Sequence, residues 1–179
     1  MLNYLATFIP FRFRGLVPWL KDRVERWAFY RDLAYYGDSV PAKVIELSSG
    51  TIAVYTDLDK SCVHPVSVIK VIPQALTPFG IGKLTEGSYL PAIAYYGGET
   101  NEHAARRWDD FVPIPALFLV GSDKECAQVV KRIHKSAWDA LDFGLSRLGA
   151  DLQPGLNHFQ MPKEIQRPLG REVRDGLGR

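Results

Sequence analysis

A six-residue phrase occurs twice in this chain and limits the fold more than any other stretch. Gly37-Asp38-Ser39-Val40-Pro41-Ala42 opens one apolar run, and Gly87-Ser88-Tyr89-Leu90-Pro91-Ala92 opens another. Each copy reads as a turn followed by a strand. The glycine supplies φ freedom, polar residues suit the turn, and proline is tolerated where a strand begins or lies on an edge. Tyr-Tyr-Gly also occurs twice, entering the first copy at Tyr35-Tyr36-Gly37 and leaving the second at Tyr95-Tyr96-Gly97. Outside the phrase the two halves do not align, so the repeat reads as two similar strand entries rather than a duplication.

Strand signals continue from there. Residues 40–47, a hairpin-like Ser48-Ser49-Gly50 and residues 51–58 form the first pair. Residues 66–72 are apolar on nearly both faces, which predicts a central strand. A long Gly/Pro-punctuated connection leads to a fourth strand at 88–96. Trp108 to Phe111 then runs through Val112-Pro113-Ile114-Pro115 to a fifth strand at 116–120, its start kept off a central ladder by the prolines.

Helical signals flank the strands. Pro18 suits a first helical turn, and Leu20, Val24, Trp27 and Ala28 follow as one stripe. Ser122 or Asp123 caps a later helix with Cys126, Val130, Ile133, Ala137, Leu141 and Leu148 on one face. A capping box at Ser136-Ala137-Trp138-Asp139 predicts a break near His134 and Lys135. Beyond Asp151 prolines and glycines interrupt every turn, as in a tail that drapes over the domain and is mobile at its end. The expected organisation is a basic, aromatic segment and helix at 1–36, a β-barrel-like domain with a closing helix at 37–149, and a Pro/Gly-rich tail at 150–179. The fold class is α+β, mostly β. It is a small twisted five-stranded barrel or curled sheet, of the oligonucleotide-binding or SH3-like kind, flanked by N- and C-terminal helices.

Taken in order, the sequence gives G-x-x-V-P-A, a hairpin, G-x-x-x-P-A, W-D-x-x-x-P-x-P and a helix bearing a tryptophan. The residues are Gly37, Val40, Pro41 and Ala42, then Gly87, Pro91 and Ala92, then Trp108, Asp109, Pro113 and Pro115, with Trp138 and Leu141. Over residues 35–145 this resembles a bacterial family catalogued only as a domain of unknown function. The resemblance implies no activity, cofactor or catalytic residue.

Composition narrows the functions. A net charge of +2 over 179 residues exerts no global pull on nucleic acid. Two cysteines, Cys62 and Cys126, in no metal-binding spacing suit a reducing cytoplasm. There is no apolar run of the roughly 18 residues that a spanning helix needs. The apolar N-terminus carries Arg12 and Arg14 after its apolar part, a poor match to a secretory signal.

No catalytic set, metal site or cofactor is assigned. Asp57, Asp59, Cys62 and His64 share one loop, and an enzyme reading, hydrolytic or metal-dependent, would use them. Trp108, Asp109 and Asp110 with Glu99, Glu102 and His103 form a second acidic patch. There Trp108 more simply plugs the barrel mouth, and Asp109 accepts backbone N–H bonds before Pro113. Gly80-Ile81-Gly82-Lys83 lacks the spacing of a phosphate loop. A single-stranded nucleic-acid reading would use Tyr55, Tyr89, Tyr95, Lys43 and Lys70 on a sheet face. The most unusual composition lies earlier. Phe8, Phe11, Arg12, Phe13, Arg14 and Trp19 alternate aromatic and basic character, followed by Lys21, Arg23, Arg26 and Arg31. Such a mixture suits a membrane interface, a protein partner or a nucleic-acid backbone, or else forms a solvated helix face whose apolar stripe packs on the barrel. The expectation is a cytoplasmic, non-catalytic binding or scaffold domain, peripheral at an anionic membrane surface through this segment. The same patch could close a homo-oligomer.

Overall fold

Alternating stretches rich in Val, Ile and Ala pair here into one antiparallel sheet. A computed structural model of the protein describes residues 37–59, 65–73, 75–76, 84–99, 107–120 and 122–162, all within the unit that begins at Gly37. Its strands are β1 (Asp38–Glu46), β2 (Thr51–Asp57), β3 (Ser67–Ile72), β4 (Tyr89–Glu99), β5 (Trp108–Pro115) and β6 (Gly155–His158). They lie in the order β5-β4-β1-β2-β3-β6. Two helices, α1 (Asp123–Arg132) and α2 (Lys135–Leu148), separate β5 from β6 in the chain.

The sheet curls into a half-barrel; the closed five-stranded barrel does not form. Residues 116–120 do not supply the fifth strand, since Ala116–Phe118 is a 3-10 turn and the strand is the preceding Trp108–Pro115. A sixth strand comes from within 150–179, where turn formers hid it. The inner face of the curl buries Val44, Ile52, Val54, Val68, Leu90 and Phe111 in one core. Among the described residues closure is achieved at one end only. There the Trp108 amide donates to the Leu58 carbonyl at 2.9 Å, and Asp59 bridges Arg107. Further along, β3 turns away to pair with β6, and a side chain spans the gap. Lys70 points inward from β3, and its Nζ lies 2.8 Å from both Asp110 carboxylate oxygens and 2.6 Å from the Phe111 carbonyl on β5.

The outer face forms a second core. Ala53, Tyr55, Ile69 and Val71 lie beneath Ala140 and Leu141 of α2, with Phe159 and Met161 alongside. Gly144 allows this close approach. A Cβ there would stand 2.5 Å from Phe159 Cζ and 2.7 Å from Ile69 Cδ1.

The repeated phrase has a structural meaning that its prolines explain. Pro41 and Pro91 face each other across β1 and β4, so Val40-Pro41-Ala42 lies antiparallel to Leu90-Pro91-Ala92. Both prolines sit inside central strands, not at the edge or strand start expected of them. Val44 exchanges its backbone bonds with Gly87 and Ser88, so even-numbered β1 residues bond toward β4 and odd-numbered ones toward β2. The missing Pro41 donor therefore faces β2, and the β1–β2 register ends at the next residue, Ala42 opposite Val54. By the same alternation Pro91 faces β5, and the β4–β5 register begins at Ala92 opposite Pro115. Each proline ends a ladder on one flank and leaves the ladder on the other intact, which frees the sheet to curl.

β5 is an edge strand, as its prolines require. The Phe111 N–H and C=O face away from β4, because Asp110 Oδ1 accepts the amide at 2.8 Å and Lys70 donates to the carbonyl. Residues two and four further on share that outward direction, and they are Pro113 and Pro115. The free edge thus offers no donor at three consecutive outward positions, which blunts it against a second strand.

The helix signals after the strands hold with one change of phase, while the helix expected from Pro18 lies outside the described residues. Ser122 caps α1 by accepting from Glu125 N at 3.3 Å, and the chain breaks between Arg132 and Lys135. His134 caps α2 through Nδ1, which accepts from Ser136 N at 3.3 Å, so the expected Ser136 box is not the cap. In α1 the inward residue is Val129, and Val130 is turned outward.

Candidate functional site

Polar side chains gather at the closing end of the half-barrel, where β1 begins and β2 and β4 end. The Tyr96 hydroxyl lies 2.6 Å from Thr56 Oγ1, bonds Asp38, and its ring stacks on Trp108 with centroids 5.8 Å apart. Burial raises the Asp38 carboxyl above its ordinary value, opposed by the Tyr96 bond. Burial likewise raises Tyr96, with the negative charge of Asp38 adding to it. Asp57 is raised by burial against two backbone bonds, from Asp59 N at 2.9 Å and Val66 N at 2.7 Å. Those two bonds hold the turn after β2. Asp57 is therefore engaged as a turn former, and Asp59 lies in the bridge to Arg107.

Of the Asp57, Asp59, Cys62 and His64 set, only Asp57 and Asp59 fall among the described residues. Cys62 and His64 lie outside the described residues, as do Glu102, His103 and the 80–83 glycine loop. Among the described residues no three His, Cys, Asp or Glu side chains are grouped to hold a metal ion. Asp110 serves the β5 edge, taking the role expected of Asp109, which is exposed. Trp108 stacks on Tyr96 at the closing end, close to its expected place at a mouth.

A second cluster ties helix to sheet on the outer face. Lys43 Nζ lies 2.7 Å from Asp142 Oδ1, 3.1 Å from Tyr89 Oη and 4.5 Å above the Tyr89 ring. The Tyr89 hydroxyl donates to Asp142 Oδ2 at 2.5 Å, and its ring meets Trp138 edge-on at 5.7 Å. Burial would raise Asp142, but the bonds from Lys43 and Tyr89 outweigh it and hold the carboxyl below its ordinary range. This arrangement pins α2 to β1 and β4.

The nucleic-acid set is divided by the same packing. Tyr55 is 2% exposed beneath α2, its ring 6.1 Å from Phe159. Tyr95 remains 51% exposed, but Lys43 is committed to Asp142 and Lys70 points into the opposite face. No face therefore combines these aromatics with available cations. Phe8, Phe11, Arg12, Phe13, Arg14 and Trp19 lie outside the described residues. Among the described residues no helix is long and apolar enough to cross a membrane.

No family model matches this chain, and no curated protein does. A solved structure has a similar fold, that of a "putative membrane protein" from Corynebacterium diphtheriae. The two agree with a TM-score of 0.56 at 19% identity, over 68% of this chain and 100% of that one. At this identity the likeness shows the fold alone.

Proposed function

We propose that this chain is a non-catalytic binding domain that works at an anionic membrane surface, held there by its N-terminal segment. The observation that carries this reading is the alternation of Phe8, Phe11, Phe13 and Trp19 with Arg12 and Arg14. Aromatic rings settle at the headgroup level of a bilayer, and arginines beside them meet lipid phosphates. The description of the Corynebacterium diphtheriae neighbour as a "putative membrane protein" supports the same direction. So does the economy of the half-barrel, whose Lys43, Lys70, Asp57, Asp110 and Asp142 are each engaged in holding turns, edges and helix.

The test is flotation with phosphatidylserine-containing vesicles at low and high salt. The full chain is compared with a full-length variant carrying Phe8→Ser, Phe11→Ser, Phe13→Ser and Trp19→Ser. The wild type floats with the vesicles and is released by salt, and the variant stays behind. Equal flotation of both removes the N-terminal segment from the account. If the variant instead changes mass by light scattering, the segment closes an oligomer and the membrane reading fails.

A further inference from the structure

Two residues, Ile133 and His134, join α1 to α2. Ile133 is buried and fixes the corner, while Lys131, Arg132, His134 and Lys135 around it are all exposed. Among the described residues no acidic side chain pairs with Lys131 or Arg132, whereas Lys135 pairs with Asp139 at 3.1 Å. That pair joins two well-exposed side chains one helical turn apart, so it holds Lys135 only weakly.

The helix dipole accounts for two of these cations and not for the third. Lys131 and Arg132 stand in the last turn of α1, where positive charge is favoured. Lys135 is the first residue of α2, whose first turn holds no acid. A cation there meets the positive end of the helix. This local choice works against α2, and such choices mark positions kept for something other than the fold. Next to Lys131 in the chain stands a large apolar residue, Val130, at 40% exposure.

We propose that the corner between α1 and α2 docks on an anionic lipid surface, through Lys131, Arg132 and Lys135 with Val130 beside them. This rests on the membrane reading above and adds a contact within the half-barrel unit. Charge complementarity selects the partner. Anionic headgroups answer the cations, and the shallow apolar boundary beneath them accepts Val130. A nucleic-acid backbone would answer only the charges.

The experiment uses the full chain and a full-length Lys131→Gln, Arg132→Gln, Lys135→Gln variant, with folding checked by circular dichroism. Binding is measured to vesicles of phosphatidylcholine alone and with 30 mol% phosphatidylserine, and to a single-stranded oligonucleotide. Each basic residue at an anionic surface contributes about fivefold to partitioning, so the triple variant binds the mixed vesicles about a hundredfold more weakly. Both proteins bind phosphatidylcholine equally. If the variant binds mixed vesicles as the wild type does, while the N-terminal variant does not, the corner is overturned and the membrane reading survives. Failure of the wild type to bind mixed vesicles overturns both. Weakened oligonucleotide binding with unchanged vesicle binding also overturns the proposal.

Discussion

Replacing Lys70 by methionine opens the seam that a side chain now closes. Methionine keeps the apolar stem in the inner core and removes the ammonium from Asp110 and Phe111 O. The Asp110 side chain is 55% exposed, so the ion pair is screened and contributes about 0.5 kcal/mol. The bond to the Phe111 carbonyl is charge-assisted, in a class that contributes about 1.5–3 kcal/mol, part of which water recovers at an open edge. The sum is a loss of about 1–2 kcal/mol, or about 3–7 °C in Tm. Asp110→Asn loses less, about 0.5 kcal/mol, because the amide oxygen still accepts the Phe111 N–H. Urea unfolding gives the magnitude, and native-state hydrogen exchange gives the place. Exchange should quicken along β5 in Lys70→Met and stay slow in β1 and β2. An unchanged midpoint, or faster exchange spread evenly over the sheet, would refute the reasoning.

Three further outcomes follow from the same structure. Gly144→Ala gains about 1 kcal/mol of helix propensity, but its methyl collides with Phe159 and the fully buried Ile69. Thermal unfolding should show a net loss of about 1–2 kcal/mol, recovered in part by adding Phe159→Leu. Pro113→Val with Pro115→Val restores two outward donors to the β5 edge, so light scattering should rise with concentration while monomer stability moves by about 0.5 kcal/mol or less. Burial holds the Asp38 carboxyl above its unfolded value of 3.8, so its contribution is fully present below that pH and is lost as pH rises through the folded value. Asp38→Asn should therefore gain on the wild type at neutral pH and match it near about pH 3 in denaturant titrations.

Local pattern revealed most strands because alternation and turn residues act within a few positions. β1 to β4 follow from the apolar runs at Val40, Thr51, Val68 and Leu90, and the centrality of β3 follows from its two apolar faces. β6 was hidden because Gly155 and Asn157 read as turn formers. Its pairing with β3 depends on Asn157, whose Nδ2 reaches the Ile69 and Gln153 carbonyls across a fold that sequence does not display. The failure to close has the same origin. Whether Lys70 points in or out is set by register, and an inward lysine reads locally as a polar break in a buried strand. Pro41 and Pro91 were visible, but their opposition across two central strands was not. At the site, Asp57 and Asp59 suggested chemistry by type alone, and only the backbone bonds to Asp57 identify it as part of a turn. The basic corner was not legible, because a cap at Ser136 leaves Lys135 outside the helix, and only the His134 cap makes it the first helical residue. Its meaning emerged only once the preceding helix was seen to end two residues earlier.

Hydrogen exchange of the full chain with and without phosphatidylserine vesicles tests the membrane account most directly. The account predicts slowed exchange in residues 7–20 and 130–136, with β1 to β5 unchanged. Protection confined to the strands, or absent everywhere despite saturating vesicles, would contradict it.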